Sequence, residues 1–225
     1  TPLTEPQANK TERPEQDGIT GKALAKNFNF HLLGWAFLLN GVVGTVIRMN
    51  TTVFLGSFRK EHLNTLMTGG TPIFNIFVKF SIGALSDYFI KSVPRTFYIA
   101  VMTWYEAFIL FICIRHSDLM PITINFIVLG YAVDATYNAI YFAVVSDMFG
   151  QKNVNTNIGV LVMCYGIVTV PVLLCFGIIY DHKASSGECY GRECFSAIFL
   201  ACAVIATLAA LCISWFAFRE KKSHL

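Results

Sequence analysis

Residues 158–180 read IGVLVMCYGIVTVPVLLCFGIIY, without one charged side chain. A hydrocarbon core about 30 Å thick takes about 20 residues of helix to cross. Backbone amides in lipid must be satisfied within their own segment, so such a run is a helix. Five further runs of the same character accompany it: Phe28–Ile47, Leu66–Phe89, Thr96–Ile114, Ile122–Val145 and Phe195–Phe218. The gaps between them are short and polar. The expected fold is an all-α membrane protein with six transmembrane helices spanning 28–218. A polar disordered lead-in or central cytoplasmic loop (1–27) precedes the bundle, and a cytoplasmic tail (219–225) follows.

Composition points the same way. The 225 residues are 55% hydrophobic and 14% charged, whereas a soluble domain sits nearer 25% charged. A soluble helical protein would also keep a polar face on its helices, which these runs lack. The lead-in carries Pro2, Pro6 and Pro14 with mixed charges and no apolar core of a cleavable signal. The chain begins at Thr1 rather than Met, as a fragment would.

Lysine and arginine placement sets the orientation. With both ends in the cytoplasm, ten cations fall inside: Lys10, Arg13, Lys22, Lys26, Lys91, Arg95, Lys152, Arg219, Lys221 and Lys222. Six fall outside: Arg48, Arg59, Lys60, Arg115, Lys183 and Arg192. The net charge of +3 reflects this bias. No basic cluster with interleaved aromatics stands outside the membrane, so no nucleic-acid partner is expected.

Of seven cysteines, Cys189 and Cys194 share the last outer loop. In an oxidising space they could form a local disulfide, or remain two free thiols. No Cys/His spacing suggests a metal, and no cofactor is expected. Asn50-Thr51-Thr52 is a glycosylation sequon close to a membrane end.

The six runs divide into two triples that echo each other weakly. Gly83-x-x-x-Asp87 and Gly177-x-x-x-Asp181 each close a middle helix. Inverted three-helix repeats are a construction principle of secondary transporters. Gly34, Gly41 and Gly44 in the first run, and Gly159, Gly166, Pro171 and Gly177 in the fifth, suit either ordinary close packing or a bundle that moves.

Lys79, Glu106 and Asp134 are the ionisable residues well inside runs. A charge at mid-bilayer costs ~2.5–3.5 kcal/mol on insertion scales, so such groups are paired or face water. Two readings stand for Lys79 and Asp134. They form a buried pair, or Lys79 attracts an anionic substrate group while Asp134 carries a proton. Asn75 lies one turn before Lys79, and Asn40 and Thr45 add polar groups to the first run. Asp134, Tyr137, Asn138 and Tyr141 fall at i, i+3, i+4 and i+7, which is one helical face, either packing or a binding wall. Glu106 is a proton site or a partner for a neighbouring helix. No run holds a histidine beside a nucleophile, and none pairs two facing aspartates. Intramembrane proteolysis is thereby disfavoured, and the expectation is a protein that is not an enzyme.

Gly83-Ala-Leu-Ser-Asp87-Tyr-Phe, followed by Lys91 and Arg95, resembles the loop signature of the major facilitator superfamily. In those transporters it follows the second or eighth helix. The chain thus looks like the carboxyl-terminal six-helix half of a twelve-helix transporter, its amino-terminal half being the missing partner. Asn75-Ile-Phe-Val-Lys79, Ser146-Asp147-Met-Phe-Gly150 and Cys189-Tyr-Gly-Arg-Glu-Cys194-Phe195 are similar to patterns of plant nodulin-like members. Monocarboxylate transporters also carry a cation four residues before a glycine in the eighth helix. Asn75 and Lys79 stand here where theirs are Asp and Arg. The resemblance implies alternating access, with the first, second, fourth and fifth helices facing the cavity and the third and sixth outside. It makes Asn75, Lys79 and Asp134 cavity candidates in preference to Glu106, and gives Gly83, Asp87 and Arg95 a role at the cytoplasmic gate.

The leading expectation is secondary active transport of a small polar or anionic solute across a membrane. Protonatable groups within the runs, and the lack of a Gly-rich loop ending in Lys-Ser or Lys-Thr, suggest proton coupling over ATP. The alternative from another class is a non-transporting, receptor-like or scaffold subunit.

Overall fold

The structure is a computed structural model that describes residues 19–90, 92–117, 119–184 and 189–223, with the side chains of 221–223 left aside. Every regular element among the described residues is helical. Six long helices dominate: α2 (Phe28–Met49), α4 (Asn64–Tyr88), α5 (Arg95–His116), α6 (Met120–Phe149), α7 (Val154–Lys183) and α8 (Ser196–Ser223). Two short ones join them, α1 (Gly21–Ala25) before the bundle and α3 (Thr51–Ser57) after α2.

The helix ends follow from local chemistry. Asn27 caps α2, its Oδ1 accepting from the amides of Asn29 (3.0 Å) and Phe30 (3.4 Å). Pro94 stands at the cap of α5, and proline opens the first turn of α6, where its missing N–H costs nothing. Gly150, at φ 88°, ends α6 in a conformation that few other residues adopt.

Contacts between the helix ends sort them into two groups. Arg95 at the start of α5 reaches the ends of α4 and α6, and Thr96 reaches Glu220 near the end of α8. The amide of Ile19 donates to Phe149 O at the same end. At the opposite end, Lys60 reaches Thr123 at the start of α6, Arg192 reaches Arg115 O, and Gly191 N reaches Ser57 O. The long helices therefore run alternately up and down, and Ile19 and Glu220 lie at one end.

α6 packs on α2, α4, α5 and α7; α2 packs also on α7 and α8, and α5 on α8. Phe54, Phe126, Phe195 and Phe199 form one aromatic cluster, their rings 4.5–5.6 Å apart in the contacts that Phe54 makes. It locks α3, α6 and α8 together.

Three expectations change. Five of the long helices are long and apolar enough to cross a bilayer, and α4 is not among them. Its 25 residues are sufficient in length, but Thr65, Thr68, Thr71, Ser81, Ser86 and Lys79 dilute its apolar character. Residues 21–25 of the expected disordered lead-in form α1, because Leu24 is buried against the bundle. The expected tail is helical through Ser223, as α8 continues without a stop. Residues 1–18 and Lys91 lie outside the described residues.

Candidate functional site

A cavity of about 300 Å³ opens beside the C-terminal half of α2, bounded by α6 and α7. Its walls are Phe37, Asn40, Gly41, Gly44 and Arg48 of α2, Asp134, Tyr137 and Asn138 of α6, and Tyr165 of α7. On α2, positions 37, 41, 44 and 48 recur at helical spacing, so one face carries all of them. The two glycines on this face have different roles. A Cβ on Gly41 would stand 2.8 Å from the Tyr165 ring, so only glycine lets α7 come this close. Gly44 leaves room in front of Arg48, with Nη1 3.8 Å from where its Cβ would be.

Arg48 and Asp134 form an ion pair across the cavity, each side chain about one quarter exposed (24% and 25%). The Arg48 Nη2 donates to Thr45 Oγ1 (3.0 Å), and Thr45 bonds the Tyr165 hydroxyl. Asn138 Nδ2 donates to Asp134 O (2.8 Å). One cation, one carboxylate, two phenols and two amides therefore meet around one void. Partial exposure sets the energetic scale. Removing one partner should cost more than the roughly 0–1 kcal/mol of a surface pair and less than the ~3–5 kcal/mol of a fully buried one.

Behind this wall lies a second polar contact. Asn40 Nδ2 donates to Glu106 Oε2 of α5 (2.8 Å), and Glu106 is 1% exposed. Its Oε1 has no hydrogen-bond partner among the described residues. Tyr137 closes the same layer, its hydroxyl 3.3 Å from Thr103 Oγ1 and donating to Ala36 O (3.5 Å). Asn40→Ala would strip the buried carboxyl group of its donor. A loss of about 1–3 kcal/mol is expected, read as a lower melting temperature in detergent, with Asn40→Asp/Glu106→Gln recovering part of it.

The structure sorts the candidates from the sequence. Asn40, Asp134, Tyr137 and Asn138 come together at the cavity. Lys79 does not pair with Asp134. It is exposed on α4, where the inward arc runs through Thr71, Asn75 and Ser86. Asn75 is spent on structure, donating to Tyr131 O (2.9 Å) and tying α4 to α6. Tyr141 is packing: it is 1% exposed, its hydroxyl donates to Leu33 O (3.4 Å), and its ring stacks on Phe37 at 4.4 Å. Glu106, read as a proton site or a partner for a neighbouring helix, accepts a hydrogen bond from Asn40 of α2.

Arg48 is the residue that sequence reasoning missed, since it was assigned to an outer loop. α2 continues past Ile47 to Met49 and keeps Arg48 on the bundle. The reason it meets Asp134 is a close approach. A Cβ on Gly130 would lie 2.9 Å from Ile47 Cγ2, so α6 presses on α2 there. Asp134 lies one turn beyond Gly130 and Arg48 next to Ile47. The spacing of Gly41, Gly44 and Arg48 was the available signal. Nothing in the sequence pointed to Tyr165.

At the end of the bundle, Arg95 donates to Asp87 Oδ1 (2.7 Å) and Asp147 Oδ2 (2.8 Å). It joins α4, α5 and α6 with its own side chain only 16% exposed, against 71% and 55% for the aspartates. With carboxylates this exposed, Arg95→Ala should cost only about 1 kcal/mol, as a shift of the detergent melting curve that Arg95→Lys halves. A Cβ on Gly83 meets nothing within 4 Å, so that face of α4 is open. At the other end Cys189 and Cys194 are joined as a disulfide, with Arg59 over the Tyr190 ring at 5.2 Å. No group of His, Cys, Asp and Glu among the described residues could hold a metal ion.

The family model described as Major Facilitator Superfamily matches residues 33–225, most of the chain. No curated protein and no solved structure matches it. The family match agrees with the alternating apolar helices and with a polar cavity set among them. The chain belongs to the major facilitator superfamily and is an integral, multi-pass membrane transporter of that type.

Proposed function

We propose that this chain forms one six-helix half of a secondary transporter, related to the nodulin-like and monocarboxylate-transporter-like members, that moves a small polar or anionic solute by alternating access. The observation that carries the reading is the Arg48–Asp134 pair within a cavity of about 300 Å³, which opens beside the C-terminal half of α2 and the middle of α6. Ionisable groups kept at membrane depth, paired and facing a cavity, mark solute and proton pathways.

In this reading α4 also spans the membrane, bringing the spans to six, and is held along α6 by Asn75. The amino-terminal six-helix half completes the cavity, and the two halves rock about it. The end bearing Asp87, Arg95 and Asp147 faces the cytoplasm, where Lys22, Lys26, Lys152 and Arg219 also lie. Asp87 steadies the gate there against the other half. Arg48 takes the anionic group of the solute, because a guanidinium binds a carboxylate or phosphate through paired N–H donors. Asp134 competes for the same guanidinium. Its protonation frees Arg48, which couples solute binding to a proton.

The test is uptake of candidate small anions and polar solutes into vesicles containing the full-length protein, with an imposed pH gradient. Uptake that follows the gradient, and loses that dependence in Asp134→Asn, is expected. A full-length protein that takes up none of them, and lacks a second six-helix half, would leave the scaffold alternative standing.

A further inference from the structure

The solute cavity of this half is electrically balanced. Its walls hold one cation, Arg48, and one carboxylate, Asp134, in direct contact and each about one quarter exposed. No other charged side chain among the described residues lines it. The further titratable groups around Asp134 are Tyr137 of its own helix, Tyr165 of α7 and, behind Asn40, Glu106 of α5. None of these supplies a second positive charge.

That balance constrains the load. On the reading that Arg48 takes the anionic group of the solute, Asp134 is left facing the void without its cation. An unpaired carboxylate at membrane depth is costly, so a load that brings positive charge along with the anionic group is favoured. A plain anion needs a proton on Asp134. A solute that carries its own ammonium group needs none.

The walls suit an ammonium group. Phe37, Tyr137 and Tyr165 line the same void, with ring centroids 6.4 Å apart for Phe37–Tyr137 and 5.9 Å for Phe37–Tyr165. Aromatic faces attract organic cations, whereas a proton on a carboxyl oxygen draws nothing from them. The phenol oxygens are engaged already, Tyr137 with Thr103 and Ala36 O, and Tyr165 with Thr45 and Gly41 O. The contribution of these tyrosines to the wall is therefore chiefly aromatic.

Contact between Arg48 and Asp134 also sets the spacing. A solute meets both groups at once only if its own two charges are neighbours, as on the α-carbon of an amino acid, laid antiparallel to the pair. A guanidinium has several N–H donors and a carboxylate several acceptor positions, so each can keep its protein partner and take a second. Four alternating charges then close a ring. Charges held far apart along a chain cannot close it.

We propose that this cavity, besides a plain anion loaded with a proton, takes a small zwitterion of the α-amino acid class. Its carboxylate lies on Arg48 and its ammonium group on Asp134 among the three rings, and no proton is taken up.

The experiment measures binding of labelled alanine, propionate and ethylamine to the purified full-length protein in vesicles at one pH. Propionate lacks the ammonium group of alanine, and ethylamine lacks the carboxylate. Each should bind roughly 10- to 100-fold more weakly than alanine, and γ-aminobutyrate, with its charges apart, should displace alanine poorly. A pH indicator should record proton uptake when propionate binds and none when alanine binds. In Asp134→Asn the preference for alanine over propionate should vanish, and Phe37→Leu should reduce it several-fold. Because each preference is a ratio on one sample, partial loss of folded protein does not mimic it. Propionate bound as tightly as alanine, or alanine not bound, would overturn the proposal, and proton-driven propionate uptake in the same vesicles would then leave anion transport standing. Alanine bound with the expected preference, in vesicles that take up no solute, would support the proposal and count against transport instead.

Discussion

Arg48→Ala is expected to lower solute uptake by on the order of 100-fold, the largest loss of any single change in the cavity. The variant removes the cation that faces the void and leaves Asp134 one quarter exposed without its partner. Truncating one member of a buried charge pair costs ~2–5 kcal/mol in binding, much of it from the group left behind, so a pair one quarter exposed should lose toward the lower end of that range, about 100-fold. Asp134→Asn should behave differently. It leaves Arg48 in place and mimics the protonated carboxyl group, so solute exchange between two filled sides survives while gradient-driven uptake fails. Lys79→Ala should lower uptake far less than Arg48→Ala, because Lys79 lies outside the cavity wall. Initial rates of uptake and of counterflow, measured on the three variants at matched protein levels, check this. Arg48→Ala with normal uptake would remove the proposed solute contact.

Gly130→Leu is expected to give the largest loss of stability. Even the first carbon added there would lie 2.9 Å from Ile47 Cγ2 and 3.2 Å from its Cδ1. Both belong to a side chain that is 1% exposed, so neither side has room to yield. Overpacking of this kind costs about 1–3 kcal/mol and occasionally more. Leucine should reach the upper end and alanine the lower. The injury also reaches the cavity, since parting α2 from α6 pulls Arg48 from Asp134, so uptake should fall with stability. A double variant provides the control. Ile47→Ala removes the atoms that Gly130→Ala would strike, so the two changes together should cost less than their sum, by about 0.5–3 kcal/mol. Melting curves in detergent for the four proteins of that cycle decide it, and strictly additive losses would refute the close contact.

The linear pattern of residues was enough to determine the setting. A run such as 158–180, with no charge over the length of a bilayer, can only be a helix in lipid, because its amides have nowhere else to bond. The Gly83-to-Arg95 signature pointed to a major facilitator transporter with no packing information, and the family match bears that out. Asp134 was legible for the same reason, as an ionisable side chain inside such a run.

Its partner was not legible. Which cation meets Asp134 depends on how closely α6 approaches α2, and that distance is set by Gly130 against Ile47, residues 83 positions apart in the chain. Spacing along one helix says which side chains share its face, and so grouped Tyr141 with Asp134. It does not say what stands opposite, and Phe37 and Leu33 O claim Tyr141 for packing. Lys79 and Arg48 differ little as residues in a sequence. Contact between helices, decided by a missing side chain on one and a branched one on the other, brought Arg48 to the cavity and left Lys79 outside it.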